Sequence, residues 1–128
     1  MIYLDASVVL ARIFAEDLCP DDDIWDKRPA SSRLLQYEVW NRIHARSVAS
    51  THGEQAENLL GRVEFIELEP SALSRALDPM PNNVRTLDAL HLATMDFLRA
   101  RGRPIELLSY DKRMLSAARA MGVSLYSQ

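Results

Sequence analysis

The chain has 128 residues, of which 48% are hydrophobic and 26% charged, and this composition is typical of one globular domain, residues 1–128. We expect a cytoplasmic protein with no membrane segment. No apolar run is long enough to cross a bilayer, and the N-terminal one lacks the basic region of a signal peptide. Cys19 is the only cysteine, which excludes an intrachain disulfide and a cysteine-based zinc cluster.

The formal net charge of -3 is unusual for a protein that binds nucleic acid. Four of the 18 acidic residues, however, stand at positions that suggest a common site. They are Asp5, Glu38, Asp88 and Asp111. Without them, 14 acidic residues face 15 basic ones, so the rest of the chain has a balance of +1. The net charge therefore does not exclude a nucleic-acid substrate.

In chain order, strand patterns alternate with helix patterns, which predicts an α/β fold. The predicted strands cover residues 1–4, 27–30, 63–68, 105–110 and 123–126. The predicted helices cover residues 6–14, 33–50, 54–61, 70–77, 86–101 and 112–121, with Ser31 and Ser32 as caps of the second helix and a break at 51–53. Residues 19–26 and 78–83 are predicted to be loops, because proline, asparagine and aspartate are concentrated there.

Asp5 stands where the first strand gives way to the first helix. Residues 1–4 form an apolar run without alternation, which suits a strand buried on both faces of a parallel sheet. A strand that leads directly into a helix puts the intervening residue at the strand's carboxyl end, where open α/β sheets keep their ligand sites. Asp5 is therefore a candidate active-site residue. Ser7 either caps the helix or turns its hydroxyl group toward the same crevice.

Three further acidic residues occupy comparable positions. Asp111 directly follows a buried strand and is predicted to cap the next helix, while Asp88 lies in the first turn of the longest helix, where the helix dipole favours a negative charge. Glu38 lies among apolar residues of the second helix, with Asn41 about one turn later on the same face. Capping or solvation explains each acid alone, but explains the four together less well.

Converging carboxylates without compensating lysine or arginine would repel one another, and a bound cation would remove the conflict. All-oxygen ligands favour magnesium, or manganese in its place, over zinc. Such a metal can lower the pKa of a water molecule and stabilise charge during an in-line phosphoryl displacement. The acidic residues therefore predict metal-dependent phosphate chemistry.

Four segments carry these acids and their neighbours: 5–10 (DASVVL), 38–41 (EVWN), 85–93 (RTLDALHLA) and 108–111 (LSYD). In order and spacing they resemble the acidic motifs of PIN-domain nucleases, and most closely those of the VapC ribonuclease toxins of bacterial toxin–antitoxin pairs. The resemblance covers the whole chain, and four motifs in register are specific where one alone would be weak.

The resemblance implies a PIN-like three-layer sandwich, with a central, mainly parallel sheet flanked by helices. It also implies magnesium-dependent cleavage of RNA, a homodimer and a cognate antitoxin protein. By resemblance, the catalytic and metal-binding acids are Asp5, Glu38, Asp88 and Asp111. The supporting polar groups would be Ser7, Asn41 and Ser109, the last standing where the family more often has threonine.

Two residues near Asp88 have alternative interpretations. Arg85 either holds a substrate phosphate or neutralises Asp88. His91 lies one turn beyond Asp88 on the same helix face, and we interpret it as a packed or supporting histidine rather than as a metal ligand.

Three other functions fit parts of the sequence. A phosphoacceptor receiver domain needs an acceptor aspartate after the middle strand, but no aspartate occurs between Asp26 and Asp78. A haloacid-type phosphatase needs a second acid two residues after Asp5, where Ser7 stands. A PIN-like binding module without catalysis stays open as an alternative, although all four acids are present.

Overall fold

Five short strands form one parallel sheet in the computed structural model, which describes residues 1–128. The strands are β1 Ile2–Leu4, β2 Ala30–Ser32, β3 Glu64–Ile66, β4 Glu106–Leu108 and β5 Ser124–Leu125. Their order across the sheet is β3-β2-β1-β4-β5, and every neighbouring pair is parallel. The first strand of the chain is therefore the central strand of the sheet.

Six α-helices connect or flank these strands. They are α1 Ala6–Ile13, α2 Leu34–Ala45, α3 Ala49–Leu60, α4 Pro70–Arg75, α5 Thr86–Ala100 and α6 Lys112–Ala120. Two short 3₁₀ helices lie at Asp22–Lys27 and Pro81–Asn83. None of the helices combines the length and the apolar character needed to span a membrane.

Apolar side chains pack on both faces of the sheet. Successive strand residues point to opposite faces, and accordingly Ile2 and Leu4 of β1 pack with α1, α2 and α3, whereas Tyr3 packs with α5 and α6. Every residue of β1 is buried, as the absence of alternation in residues 1–4 predicts. Helices cover both faces, so the predicted three-layer α/β fold is confirmed.

The carboxyl ends of β1 and β4 lie side by side in the middle of the sheet. The connection that follows β1 leads to β2 on one side, whereas the chain after β3 crosses to β4 on the other side. A crevice at such a switch point is the usual ligand site of an open parallel sheet. The Asp5 N–H donates to the Leu108 carbonyl at 3.1 Å, which joins the residues that leave these two strands.

The predicted break between the second and third helices was wrong in position. α2 ends at Ala45 and α3 begins at Ala49, because Ser47 adopts a left-handed conformation with φ of 54°. Gly53, predicted as part of the break, lies inside α3. A Cβ atom at that position would lie 3.1 Å from Cη2 of Trp40, so the glycine permits close packing of α3 against α2.

The second strand also lies later in the chain than predicted. Ser31 and Ser32, predicted as helix caps, are buried strand residues of β2. The Ser31 hydroxyl donates to the Leu4 carbonyl at 2.8 Å, and a hydrogen bond of this kind makes burial of a serine tolerable in a sheet. The Ser32 hydroxyl nevertheless accepts the Leu34 N–H at 3.2 Å, as a residue before a helix often does.

The segment 19–26, predicted as a solvated loop, is partly ordered by the core. Within its 3₁₀ helix, Ile24 and Trp25 are buried and belong to the cluster that covers one face of the sheet. The acidic residues of this segment led to the prediction of a solvated loop. The burial of Ile24 and Trp25 instead holds the segment against the core.

Candidate active site

Asp5 lies at the carboxyl end of β1 and is 6% exposed. It occupies the N-cap position of α1, yet its side chain makes no capping hydrogen bond. Its Oδ2 instead accepts hydrogen bonds from Ser7 Oγ at 2.6 Å and Ser109 Oγ at 2.8 Å. The other carboxylate oxygen, Oδ1, receives no hydrogen bond from the protein. It is therefore available to a ligand.

Ser7 therefore turns toward the crevice rather than capping the helix. Its hydroxyl group donates to Asp5 and accepts the Tyr110 N–H at 3.0 Å. Ser109, the residue directly after β4, makes the matching contact, because its hydroxyl donates to Asp5 and accepts the Asp111 N–H at 3.0 Å. The two serines fix the position of Asp5 between the two strand ends.

Asp111 is the N-cap of α6, as the sequence predicts. Its Oδ1 accepts the N–H groups of Arg113 at 2.9 Å and Met114 at 3.3 Å. The same carboxyl group lines a polar cleft together with Glu38 and Asp88. Capping and membership of the acidic cluster are therefore compatible for this residue.

Glu38 and Asp88 reach the cleft from two helices that flank the sheet. Glu38 is in α2, and Asp88 is in the first turn of α5. The Glu38 carboxylate contacts the ring of His91 through Oε1 and Nε2, and His91 lies on the face of α5 that also carries Asp88. This contact holds α2 and α5 together directly below the cleft.

The charges of the other three acids affect the carboxyl group of Asp88. Burial raises the pKa of the Asp88 carboxyl above its ordinary value, and the negative charges of Asp5, Asp111 and Glu38 raise it further. None of the four acids forms an ion pair with a lysine or arginine. Repulsion from the other acids therefore acts on Asp88, and no ion pair with a lysine or arginine relieves it.

Basic side chains line the cleft as well. The cleft has a volume of about 700 Å³, and besides Glu38, Asp88 and Asp111 its lining includes the basic residues Arg42, Arg85, Lys112 and Arg113. Asp5 is not among its lining residues. Of the basic residues, only Arg85 was identified from the sequence. The spacing of the others from the acids could have identified them. Arg42 lies one helical turn after Glu38, and Lys112 and Arg113 directly follow Asp111.

Asn41 is the one predicted supporting residue that the structure does not bring to this cluster. It is exposed on α2, makes no hydrogen bond and does not line the cleft. Asn41 is only three residues after Glu38, and the rotation of the helix carries it outward while Arg42 lies at the cleft.

The donor set fits a hydrated hard cation better than a closed metal cage. No group of three or more histidine, cysteine, aspartate and glutamate side chains has the spacing to ligate one ion directly. Magnesium, however, usually keeps several waters and takes only one or two carboxylates directly. Four carboxyl groups with unrelieved repulsion, among them Asp5 with a free Oδ1, suit an ion held partly through its water molecules.

A parallel three-layer domain with an acidic cleft at its central switch point defines the class of this protein. The PIN domain family model matches residues 2–120, and the chain belongs to the PIN-domain family. It is 32% identical to ribonuclease VapC35 of Mycobacterium tuberculosis, over 98% of this chain and 95% of that protein. It is 29% identical to ribonuclease VapC46 of the same organism, over 97% and 95% of the two chains.

One solved structure has a similar fold. The crystal structure of PAE2754 from Pyrobaculum aerophilum superposes with a TM-score of 0.66 and 18% sequence identity, covering 91% of this chain and 78% of that one. This likeness supports the arrangement of sheet and helices.

Proposed function

We propose that this protein is a magnesium-dependent endoribonuclease that acts as the toxin of a toxin–antitoxin pair. The observation that carries the proposal is the group of four carboxyl groups around the cleft. The pKa of Asp88 is raised by burial and by the charges of the other three acids, and none of the four forms an ion pair with a lysine or arginine. Membership of the PIN-domain family and similarity to proteins named as VapC ribonucleases support RNA as the substrate and phosphodiester hydrolysis as the reaction.

In this proposal Asp5, Glu38, Asp88 and Asp111 hold magnesium, or manganese in its place, directly or through its water molecules. When bound, the metal supplies a water of lowered pKa and stabilises charge on the phosphate. Ser7 and Ser109 act through Asp5, because both donate hydrogen bonds to its Oδ2 and so hold the carboxylate at the strand end.

The basic residues around the cleft would bind the phosphates of the RNA. Arg42, Arg85, Lys112 and Arg113 are free of ion pairs with protein carboxylates. Their charges attract the RNA backbone and position a phosphodiester bond beside the acids. Asn41 is assigned no role, because it lies outside the cleft.

The proposed partner is a cognate antitoxin that covers the acidic cleft. A groove of about 670 Å³ lies between α4 and the start of α5 and is lined mainly by apolar side chains, including Leu73, Leu77 and Met80. Leu77 is 87% exposed, and Thr86 lines both the groove and the cleft. An antitoxin segment would place apolar residues in the groove and an arginine near the carboxylates.

The activity is tested with purified, partner-free protein and single-stranded or loop RNA. We expect cleavage with magnesium or manganese, no cleavage in excess chelator and loss of cleavage in Asp5→Asn. Asp17→Asn, a change at an exposed loop residue, is the matched control and should cleave like wild type. Cleavage that persists in chelator or in Asp5→Asn would overturn the proposal. RNA binding without cleavage would favour the non-catalytic module instead.

The partner is tested by co-expression with the product of the neighbouring reading frame, which we expect to encode a small protein with a DNA-binding N-terminus. The two proteins should purify together, and the complex should no longer cleave RNA. Leu77→Glu should weaken the complex while leaving cleavage intact. A chain that is non-toxic when expressed alone and does not bind this product would contradict the toxin–antitoxin assignment. Sedimentation of the purified chain tests the proposed homodimer, which requires twice the chain mass.

A further inference from the structure

A chain of buried hydrogen bonds lies beneath the acidic cleft and connects the sheet with Glu38. The Ser32 N–H donates to the Tyr3 hydroxyl oxygen at 3.1 Å, and this hydroxyl contacts His91 Nδ1 at 2.8 Å. On the other side of the ring, His91 Nε2 contacts Glu38 Oε1. Tyr3 and His91 are fully buried, whereas Glu38 keeps 17% of its side chain exposed at the cleft.

The direction of these hydrogen bonds follows from the donors and acceptors. An ionised Glu38 carboxylate can only accept, so the hydrogen in its contact with His91 lies on Nε2. The Tyr3 oxygen accepts the Ser32 N–H, and its hydroxyl donates to Nδ1 of the neutral imidazole. With Nδ1 as acceptor, the neutral imidazole carries its hydrogen on Nε2 and donates it to the Glu38 carboxylate.

We propose that His91, oriented by Tyr3, is a positioning residue that holds one carboxylate oxygen of Glu38 so that the other faces the cleft. The inference rests on the proposed function, in which Glu38 holds the metal. No protein group contacts Glu38 Oε2, whereas Oε1 is held by His91. Fixing a flexible glutamate before the ion arrives reduces the ordering that binding requires. His91 is buried and acts only through Glu38.

Three substitutions separate this role from packing. His91→Met fills a similar volume but removes both hydrogen bonds, and we expect manganese affinity to fall about tenfold or more. His91→Gln can place its side-chain N–H close to the position of the imidazole Nε2, so affinity should stay within about threefold of wild type. Tyr3→Phe keeps the aromatic ring in the core and removes only the hydroxyl group that orients His91. Its manganese affinity should therefore fall less than that of His91→Met.

The matched control is Leu92→Met. Leu92 is adjacent to His91 in α5 and equally buried, but it has no polar contact with the site. A volume-conserving change there perturbs the same helix, and we expect unchanged manganese affinity. Circular dichroism melts establish that each variant is folded under the conditions of the titrations.

The measurement is calorimetric titration of metal-free protein with manganese chloride at fixed neutral pH. A His91→Met affinity within about twofold of wild type would overturn the inference, because outer partners of metal ligands normally matter more. Equal losses in His91→Gln and His91→Met would overturn it as well, because only the first retains a donor. A loss in Leu92→Met as large as in His91→Met would assign the effect to packing.

A second measurement does not depend on metal. In ¹⁵N NMR spectra of the metal-free wild type, His91 should carry hydrogen on Nε2 and not on Nδ1, and Tyr3→Phe should weaken this preference. A hydrogen on Nδ1 alone would overturn the inference, even if His91→Met fails to fold. If the wild type binds no manganese, the proposed metal-dependent function fails, while these spectra still decide whether His91 donates to Glu38.

Discussion

Asp88 and Asp111 illustrate how two similar acids in the sequence acquire different surroundings. Both stand at the beginning of a helix, but only Asp111 accepts backbone N–H groups, from Arg113 and Met114. Asp88 makes no capping bond, and burial together with the charges of three other acids raises its pKa. Substitutions at the two positions should therefore affect stability in opposite directions when no metal is bound.

At Asp111, the cap dominates. Asp111→Ala removes the acceptor for two N–H groups and should lower the free energy of unfolding by about 1 kcal/mol. Asp111→Asn should cost much less, because asparagine caps a helix almost as well as aspartate. Urea unfolding in chelator measures both values. An equal decrease in the free energy of unfolding in the two variants would show that the negative charge of Asp111, and not its capping hydrogen bonds, stabilises the helix.

At Asp88, the prediction concerns pH. A raised folded-state pKa means that the ionised carboxylate destabilises the fold above that pKa, and that the penalty disappears as the pH falls toward the unfolded value near 3.8. In chelator at neutral pH, Asp88→Asn should be more stable than wild type by less than about 1 kcal/mol, because the carboxyl group is partly solvated and a favourable helix-dipole contact is lost.

The advantage of Asp88→Asn should shrink steadily as the pH is lowered from 7 toward 4, because wild type then binds the proton that relieves it. His91 acts against the three acids on the pKa of Asp88, which limits the size of the effect but not its sign. Unfolding curves at several pH values provide the test, with Asp17→Asn as a control that should follow wild type. An advantage that grows on acidification would be incompatible with the repulsion.

At the scale of helices and strands, local signals predicted most of the fold. The buried strands, the Asp111 cap and the end of α5 before Gly102 follow from features of neighbouring residues, and the structure has them within a few positions. The turn between α2 and α3 and the position of β2 were not predicted. They depend on contacts between distant segments, such as Trp40 against Gly53 and Ser31 with Leu4.

The same distinction applies to the candidate site. The acids could be identified from their local positions. Asp5 and Asp111 follow strands, Asp88 lies in the first turn of a helix and Glu38 lies among apolar helix residues, and their motifs resemble those of one family. The contact between Glu38 and His91 could not be predicted, since it joins two helices that cover opposite faces of the sheet. The basic residues Arg42 and Lys112 were missed although each lies close in sequence to one of the acids, because that spacing alone does not show that they share a cleft.

The turn between α2 and α3 gives a prediction at this scale. Ser47 holds a left-handed conformation with φ of 54°, which costs a non-glycine residue about 1 kcal/mol or more. Ser47→Gly should therefore raise the free energy of unfolding by about 0.5 kcal/mol after the entropy of the unfolded chain is counted. The matched control is Ser50→Gly in the first turn of α3, which should lower it by a similar amount. A loss at both positions would contradict the role assigned to the turn.

At the scale of the whole molecule, the order of the strands brings the acids together. The sheet places β1 beside β4, although about one hundred residues separate Asp5 from Asp111. The helices α2 and α5 bring Glu38 and Asp88 from the two faces of the sheet. Alternating strand and helix patterns do not reveal this order, whereas the resemblance to a known family implied only that the four acids share one site. The central claim is that these four segments form one magnesium site.

Thermal melts of wild type and Asp88→Asn, each in chelator and in roughly millimolar magnesium, test that claim most directly. In chelator, the account predicts that Asp88→Asn melts no lower than wild type, because one source of repulsion is gone. In magnesium, wild type should melt higher than Asp88→Asn, because a ligand stabilises the protein that binds it better. A reversal of order between the two conditions is the predicted result. Equal shifts of the two proteins on adding magnesium, with Asp88→Asn the less stable in both conditions, would contradict a shared site.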